Sequence, residues 1–255
     1  MTEIKFPRIE KPERFDLACI GSSLSGYGNI TMDAVRHIMA ARVVYLYALN
    51  GEHLSNIQQY NPNTIDLNKS HYIDGTDCSI VYESVIELIL EDARRGDVAY
   101  VQQGSPSFLA FTSVQLLRRA ATEGLNVLML PGVSSLECLH AHLCRTYDIY
   151  DYQLYNCHSI VKGSAVPSPL SSLMLANVSV YAAGGVVSTH SNLLDPDRLK
   201  VLVQKLLCYY DQNHPIFLLH LRPEGGVHII QCTLASVVDK LLDATPGLTM
   251  FIPPL

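Results

Sequence analysis

Three turns in this chain gather residue types suited to holding a small polar ligand: residues 21–28 (GSSLSGYG), 103–108 (QGSPSF) and 131–135 (PGVSS). Each follows a short apolar run that reads as a strand: Phe15–Ile20, Val98–Val101 and Val127–Leu130. In an open α/β sheet, ligands sit outside the carboxyl ends of the strands. Glycine at such an end lets backbone N–H groups approach a ligand closely, and Ser134 and Ser135 are placed to cap a helix or donate to a carboxylate. The glycines of the first turn are spaced five and then two apart, which misses the G-x-G-x-x-G dinucleotide pattern. No acidic residue ends the second strand either. Taken singly, each turn reads as a tight structural connection.

A second group of reactive types lies at residues 68–82 (NKSHYIDGTDCSIVY), a polar stretch carrying His71, Tyr72, Cys78 and Tyr82. It reads as a long loop, and such loops inside compact domains are often functional. The alternative is a surface loop whose tyrosines cover apolar neighbours. Cys78 and His71 suggest a thiol nucleophile, but no orienting partner is identifiable. Glu137, Cys138, His140 and His142 crowd one helix start. There the H-x-H spacing does not place both rings on one helical face, which argues against a metal site.

These residues need elements to position them. The chain has 255 residues, a length between one and two domains. Thr31 is a good N-cap for a helix with Ala34, Val35, Ile38 and Met39 on one face. Val43–Leu46 is the next strand. A long helix from about Ile80 to Arg94 carries Val81, Val85, Leu88 and Ile89, and Gly96 ends it. A helix over Thr112–Glu123 stops at Gly124. Beyond Pro131-Gly132 a helix starts near Ser134. Strands follow near Val178–Ala182, Ile216–His220 and Val227–Ile230, with helices from Asp197 to about Tyr210 and from about Leu234 to Leu242. Gly163–Ser172 reads as a loop. The alternation predicts an α/β protein with mainly parallel sheets. Two α/β domains, 1–131 and 132–255, are the economical division.

Composition narrows the function. Net charge is −6 and the sequence pI is about 5.9, so nothing steers the chain toward nucleic acid or anionic membranes. No apolar run approaches the roughly 20 residues of a bilayer span, and the N-terminus is unlike a signal peptide. The seven cysteines are odd in number and without C-x-x-C spacing, as in reduced cytosolic proteins. A cytoplasmic protein is expected. Charged residues are only 16% against about 25% in typical domains, which fits surface buried in another subunit or in deep clefts.

Together the turns are far more specific than singly. Leu17-Ala18-Cys19-Ile20-Gly21 followed by Ile30-Thr31-Met32-Asp33-Ala34 resembles the opening of the tetrapyrrole methylase superfamily. Gly104-Ser105-Pro106-Ser107-Phe108 is similar to its G-D-P-x-F/Y turn, with Ser105 where Asp is common, and Leu130-Pro131-Gly132-Val133-Ser134-Ser135 to its P-G-V-S-S/A turn. Within that superfamily the chain most resembles the borosin peptide backbone α-N-methyltransferases. Asn63-Thr64-Ile65-Asp66-Leu67, Tyr72, Gly75 and Tyr82 follow that pattern, as do Leu136-Glu137-Cys138-Leu139 and the closing Phe251-Ile252-Pro253-Pro254. The resemblance implies two α/β domains with S-adenosyl-L-methionine in a cleft between them, a homodimer, and methyl transfer to amide nitrogens of a peptide. By that likeness Gly104, Pro106, Ser107, Phe108, Ser134 and Ser135 line the methionine and sulfonium part of the cofactor. Ala182, Ala183 and Gly184 form the adenine side, and Tyr72 and Tyr82 flank the reacting amide.

Two departures stand out. The arginine expected between the tyrosines falls on Cys78, and the first tyrosine of that loop on Asn68. An amide N–H is a very weak acid, so its methylation needs a group that removes the proton or holds the imidate form. The departure therefore bears on acceptor chemistry and not on the cofactor. Members often carry their substrate as a C-terminal tail, whereas this sequence ends at Leu255, so a separate precursor peptide is the expected substrate. The alternatives are a small-molecule, tetrapyrrole-type methyltransferase, with Arg222 beside Pro223-Glu224-Gly225-Gly226 as the nearby cation, and a catalytically impaired homologue that binds peptide without turnover.

Overall fold

Short strands with apolar centres, separated by amphipathic helices, form two sheets that account for the architecture. The computed structural model describes residues 13–22, 29–48, 51–147, 151–187, 194–221, 227–242 and 248–255. They cluster into two compact units. One comprises Met1–His71 with Tyr82–Ser134, the other Tyr72–Val81 with Ser135–Leu255.

In the first unit the elements run β1 (Leu17–Ser22), α1 (Met32–Ala40), β2 (Val43–Tyr47), α2 (Gly51–Tyr60), β3 (Thr64–Asp66) and α3 (Leu67–Ser70). Next come α4 (Cys78–Ala93), whose residues from Tyr82 onward belong to this unit, β4 (Val98–Gln103), α5 (Phe111–Thr122) and β5 (Val127–Leu130). The sheet order is β3-β2-β4-β1-β5, with every pairing parallel. Ala18, Ile20, Val44, Leu46, Ala99 and Val101 point to one face, where they pack with Ala34 and Ile38 of α1. Their neighbours Leu17, Cys19, Val98 and Tyr100 are equally buried on the other. Such strands lose the polar alternation of a half-exposed sheet.

Thr31 caps α1 as expected, its hydroxyl accepting from the Ala34 N–H at 3.1 Å. Met39 departs from the expected stripe and is 54% exposed. It lies about 100° around the helix from Ile38, at the margin of the buried face. Residues 68–82 are not one long loop: α3 takes the first part and α4 begins at Cys78. The Asp77 carboxylate accepts from the Ser79 N–H (2.7 Å) and hydroxyl (2.5 Å), capping α4 two residues earlier than expected.

The second unit contains α6 (Ser135–Leu143), β6 (Tyr152–Asn156), α7 (Cys157–Lys162), β7 (Ser172–Ala176), α8 (Val178–Ala182), α9 (Pro196–Leu206), β8 (Pro215–Leu221), β9 (Val227–Thr233), α10 (Val237–Leu242) and β10 (Leu248–Ile252). Its sheet order is β6-β7-β10-β8-β9. Only β6 and β7 are parallel; the remaining pairings are antiparallel, so this sheet is mixed. Leu173, Leu175, Ile216, Leu218, Met250 and Ile252 face the larger core cluster. Met174, Phe217, Leu219 and Phe251 face a smaller one with Leu139 and Leu143 of α6.

One expected strand is a helix. Val178–Ala182 follows Asn177, held at a left-handed φ of +60°, and forms α8. Val178, Tyr181 and Ala182 are buried at helical i, i+3, i+4 spacing. The strand lies just before it, at Ser172–Ala176, where the expected loop was to end. Leucine, methionine and alanine there favour helix intrinsically, and the sheet interior overrides them. No disulfide joins any of the seven cysteines, all of which are described. Among the described residues no helix is long and apolar enough to cross a membrane.

Candidate active site

The neighbouring strands β4, β1 and β5 end together, and their closing turns meet. Gly21 pairs with Gln102 in register, and Ile20 with Leu130, so Gly21, Gly104 and Gly132 arrive at one place. A Cβ at Gly21 would lie 2.5 Å from the Gly104 carbonyl and 2.5 Å from the Gly132 nitrogen. One at Gly132 would lie 2.5 Å from the same carbonyl. Gly104 itself has φ +80°, a conformation that favours glycine. Three backbones in van der Waals contact thus form the floor at the strand ends, with no side chain admitted. Residues 23–28 of the first turn lie outside the described residues.

Within the second turn Gly104, Ser105 and Pro106 are buried, Phe108 is half-buried, and Ser107 is exposed. The Ser105 and Ser107 hydroxyls hydrogen-bond at 3.0 Å, and the Phe108 N–H donates to the Ser105 carbonyl at 3.3 Å. Leu109 follows with φ +54°, a left-handed conformation uncommon for a residue with a Cβ. Ser134 is buried at the end of the first unit, and Ser135 opens α6 in the second.

The other expected cofactor residues belong to the second unit. Ala182 is fully buried in the core, and its carbonyl accepts from the Asp195 N–H at 2.9 Å. Ala183 is also buried, whereas Gly184 is exposed with φ +76°. Immediately beyond it the chain pairs with the segment that bears Tyr72. The Gly75 N–H donates to the Val187 carbonyl (2.9 Å), the Val187 N–H to Thr76 (2.8 Å) and the Cys78 N–H to Gly185 (2.9 Å), around a bridge between Asp77 and Val186. Sequence patterns did not indicate this pairing, because no apolar alternation marks so short a bridge.

Tyr72 is 7% exposed and belongs to the second unit. Tyr82 is half-buried and belongs to the first, where its ring lies 5.6 Å from that of Phe111. Asn68 donates its side-chain amide to the Ala48 carbonyl. Among the described residues no group of three or more His, Cys, Asp or Glu is arranged to hold a metal ion. Arg222 and residues 223–226 lie outside the described residues.

A nucleoside-bearing amino-acid cofactor needs backbone approach without Cβ obstruction and hydroxyl groups within reach. The glycine floor and the exposed Ser107, whose hydroxyl also hydrogen-bonds that of Ser105, fit those needs. The sequence profile of the Tetrapyrrole (Corrin/Porphyrin) Methylases matches residues 16–219. The chain is 27% identical over 243 residues to the methyltransferase/ribosomally synthesized cyclic peptide omphalotin A precursor of Omphalotus olearius, across 93% of this chain and 57% of that protein. It is 27% identical over 251 residues to a methyltransferase/type III borosin cyclic peptide precursor of Anomoporia bombycina, across 93% of this chain and 28% of that one. It therefore spans only part of the length of these relatives. Among solved structures, uroporphyrin-III C-methyltransferase from Thermus thermophilus superposes with a TM-score of 0.63 at 16% identity, over 93% of this chain and 94% of that one. A second structure of that enzyme, complexed with S-adenosyl homocysteine, gives 0.61 at 15% over 93% and 96%. Likeness at this identity is one of fold. With its three turns in order and the profile matched from strand β1 into β8, the chain belongs to the tetrapyrrole methylases and resembles their borosin branch.

Proposed function

We propose that this protein is an S-adenosyl-L-methionine-dependent methyltransferase that N-methylates backbone amides of a peptide presented as a separate chain. The observation that supports it most is the contact of Gly21, Gly104 and Gly132 at the ends of β1, β4 and β5. The name of the omphalotin relative joins a methyltransferase to a cyclic peptide precursor, and a fold neighbour is complexed with S-adenosyl homocysteine. When bound, S-adenosylmethionine supplies a sulfonium-held methyl group that an amide nitrogen takes by displacement, leaving the thioether as the amide proton departs.

This chain's residues do the rest. Gly104, Pro106, Ser107, Phe108, Ser134 and Ser135 hold the methionine and sulfonium part, and Ala182, Ala183 and Gly184 the adenine part. The buried turn residues exclude water, which preserves the reactivity of the sulfonium. Tyr72 and Tyr82 orient the acceptor amide and receive its proton or hold its imidate oxygen. Cys78 offers no cationic partner to that oxygen. A homodimer is part of the proposal, supported by the low proportion of charged residues. So is a reducing compartment such as the cytoplasm, supported by seven cysteines with no disulfide among them.

The test is mass spectrometry of a borosin-type core peptide after incubation with enzyme and S-adenosylmethionine. Stepwise methyl-for-hydrogen increments, located on backbone amides by fragmentation, are the expected result. Tyr82→Phe should lower kcat by about 100-fold while leaving cofactor affinity unchanged. Cofactor binding without any methylated peptide would reject the peptide substrate. Absence of cofactor binding would reject the enzyme.

A further inference from the structure

Beneath the Gly104–Phe108 turn, within the first unit, runs a chain of buried polar groups. Gln102, near the end of β4, is 8% exposed and lies beside Gly21 of β1. Its side-chain Nε2 donates to the Ser105 carbonyl at 3.1 Å. Its Oε1 accepts from the hydroxyl of Ser113, a fully buried residue of α5. The Gln102 backbone carbonyl accepts from the Ser22 hydroxyl at 3.0 Å, and the Cys19 thiol points to the Ser113 carbonyl at 3.8 Å. Strand β1, strand β4 and helix α5 are thereby tied to one carbonyl of one turn.

Burying polar side chains costs free energy unless each is partnered, and apolar residues would pack the same space more cheaply. The yield of this network is orientation. With its carbonyl held from below by Gln102 and also accepting from the Phe108 N–H, Ser105 fixes the course of the buried Pro106 and the outward position of Ser107, the exposed residue of the turn. Without the Gln102 amide, the turn must be ordered when the ligand binds, and affinity falls by the cost of that ordering.

We propose that Gln102, seconded by Ser113, is a positioning residue for the methyl donor: it sets the Gly104–Phe108 turn in its binding conformation before the ligand arrives. This rests on the assignment of that turn to S-adenosylmethionine. Gln102 acts through Ser105 and contributes to cofactor affinity rather than to the chemical step.

The experiment is calorimetric titration of S-adenosyl homocysteine into the wild type, Gln102→Met, Gln102→Glu and Ser113→Ala, with a thermal melt of each and steady-state kinetics on peptide. Gln102→Met should raise Kd and the cofactor KM by about tenfold and leave saturating kcat within about twofold. Gln102→Glu keeps the acceptor for Ser113 and removes the donor to Ser105, so it should weaken binding to the same degree. Ser113→Ala should weaken it by about threefold. A folded Gln102→Met or Ser113→Ala with wild-type Kd, or one in which kcat falls while KM holds, overturns the inference. If the Gln102 variants do not fold, Ser113→Ala decides alone: a raised Kd supports the role and an unchanged one removes it. Absence of binding by the wild type overturns the methyl-donor reading itself, an outcome distinct from wild-type binding that the variants leave unaltered.

Discussion

Two glycines show how differently the same substitution acts. Gly21 has two backbone neighbours that cannot yield: the Gly104 carbonyl and the Gly132 nitrogen would each lie 2.5 Å from a new Cβ. Gly124 has φ +77° and nothing within 4 Å of the position its Cβ would take. Gly21→Ala should therefore cost about 3 kcal/mol or more through overpacking, and Gly124→Ala about 1 kcal/mol through left-handed backbone alone. Urea midpoints of the two variants provide the measurement, and equal shifts would show that the three turns do not touch as described. The glycine turns were legible in the sequence, because glycine and proline after short apolar runs mark strand ends. The Gln102–Ser113 link was not, since the two residues lie on different elements and only the fold brings them together.

At the scale of elements, legibility followed the strength of the local signal. Helix α1 shows its cap and its stripe, and α5 its terminal Gly124, so both were readable to within a residue or so. Short elements fared worse. The strand β6 and the helix α7 are five and six residues long, too brief for any period to emerge, and α8 carries two β-branched valines that disguise a helix as a strand. The bridge between residues 75–78 and 185–187 is shorter still, yet its hydrogen bonds tie the Tyr72 segment to the turn after Gly184. Val187→Pro removes the N–H that donates to Thr76. Each net backbone bond is worth about 1 kcal/mol, so hydrogen exchange at Gly75 and Cys78 should accelerate about fivefold or more relative to core amides of β4. Unchanged protection at both amides would mean that the bridge does not hold the segment in place.

At the scale of the whole molecule, two histidines of the second unit, whose burial disfavours the charged ring, make stability fall as pH falls. His140, on α6, packs edge-on against the Tyr152 ring at 4.7 Å, and its buried Nε2 has no hydrogen-bond partner among the described residues. Desolvation lowers its pKa below 6.5, with Glu137 acting in the opposite direction. His158 contacts Tyr181 edge-on at 5.2 Å, and its pKa is lowered by burial and further by Lys162 and Arg198. In the unfolded chain both rings take up a proton as pH falls through about 6.5. The folded protein resists until lower pH, so the unfolded state binds more protons in that window and stability falls with pH. Above 6.5 the contribution is complete. The melting temperature should accordingly be flat near neutrality and decline below about pH 6.5. His140→Phe keeps a ring against Tyr152 and removes one titrating group, so its melting temperature should decline less steeply between pH 6.5 and 5 than that of the wild type. Parallel pH profiles for the two proteins would assign the acid sensitivity elsewhere.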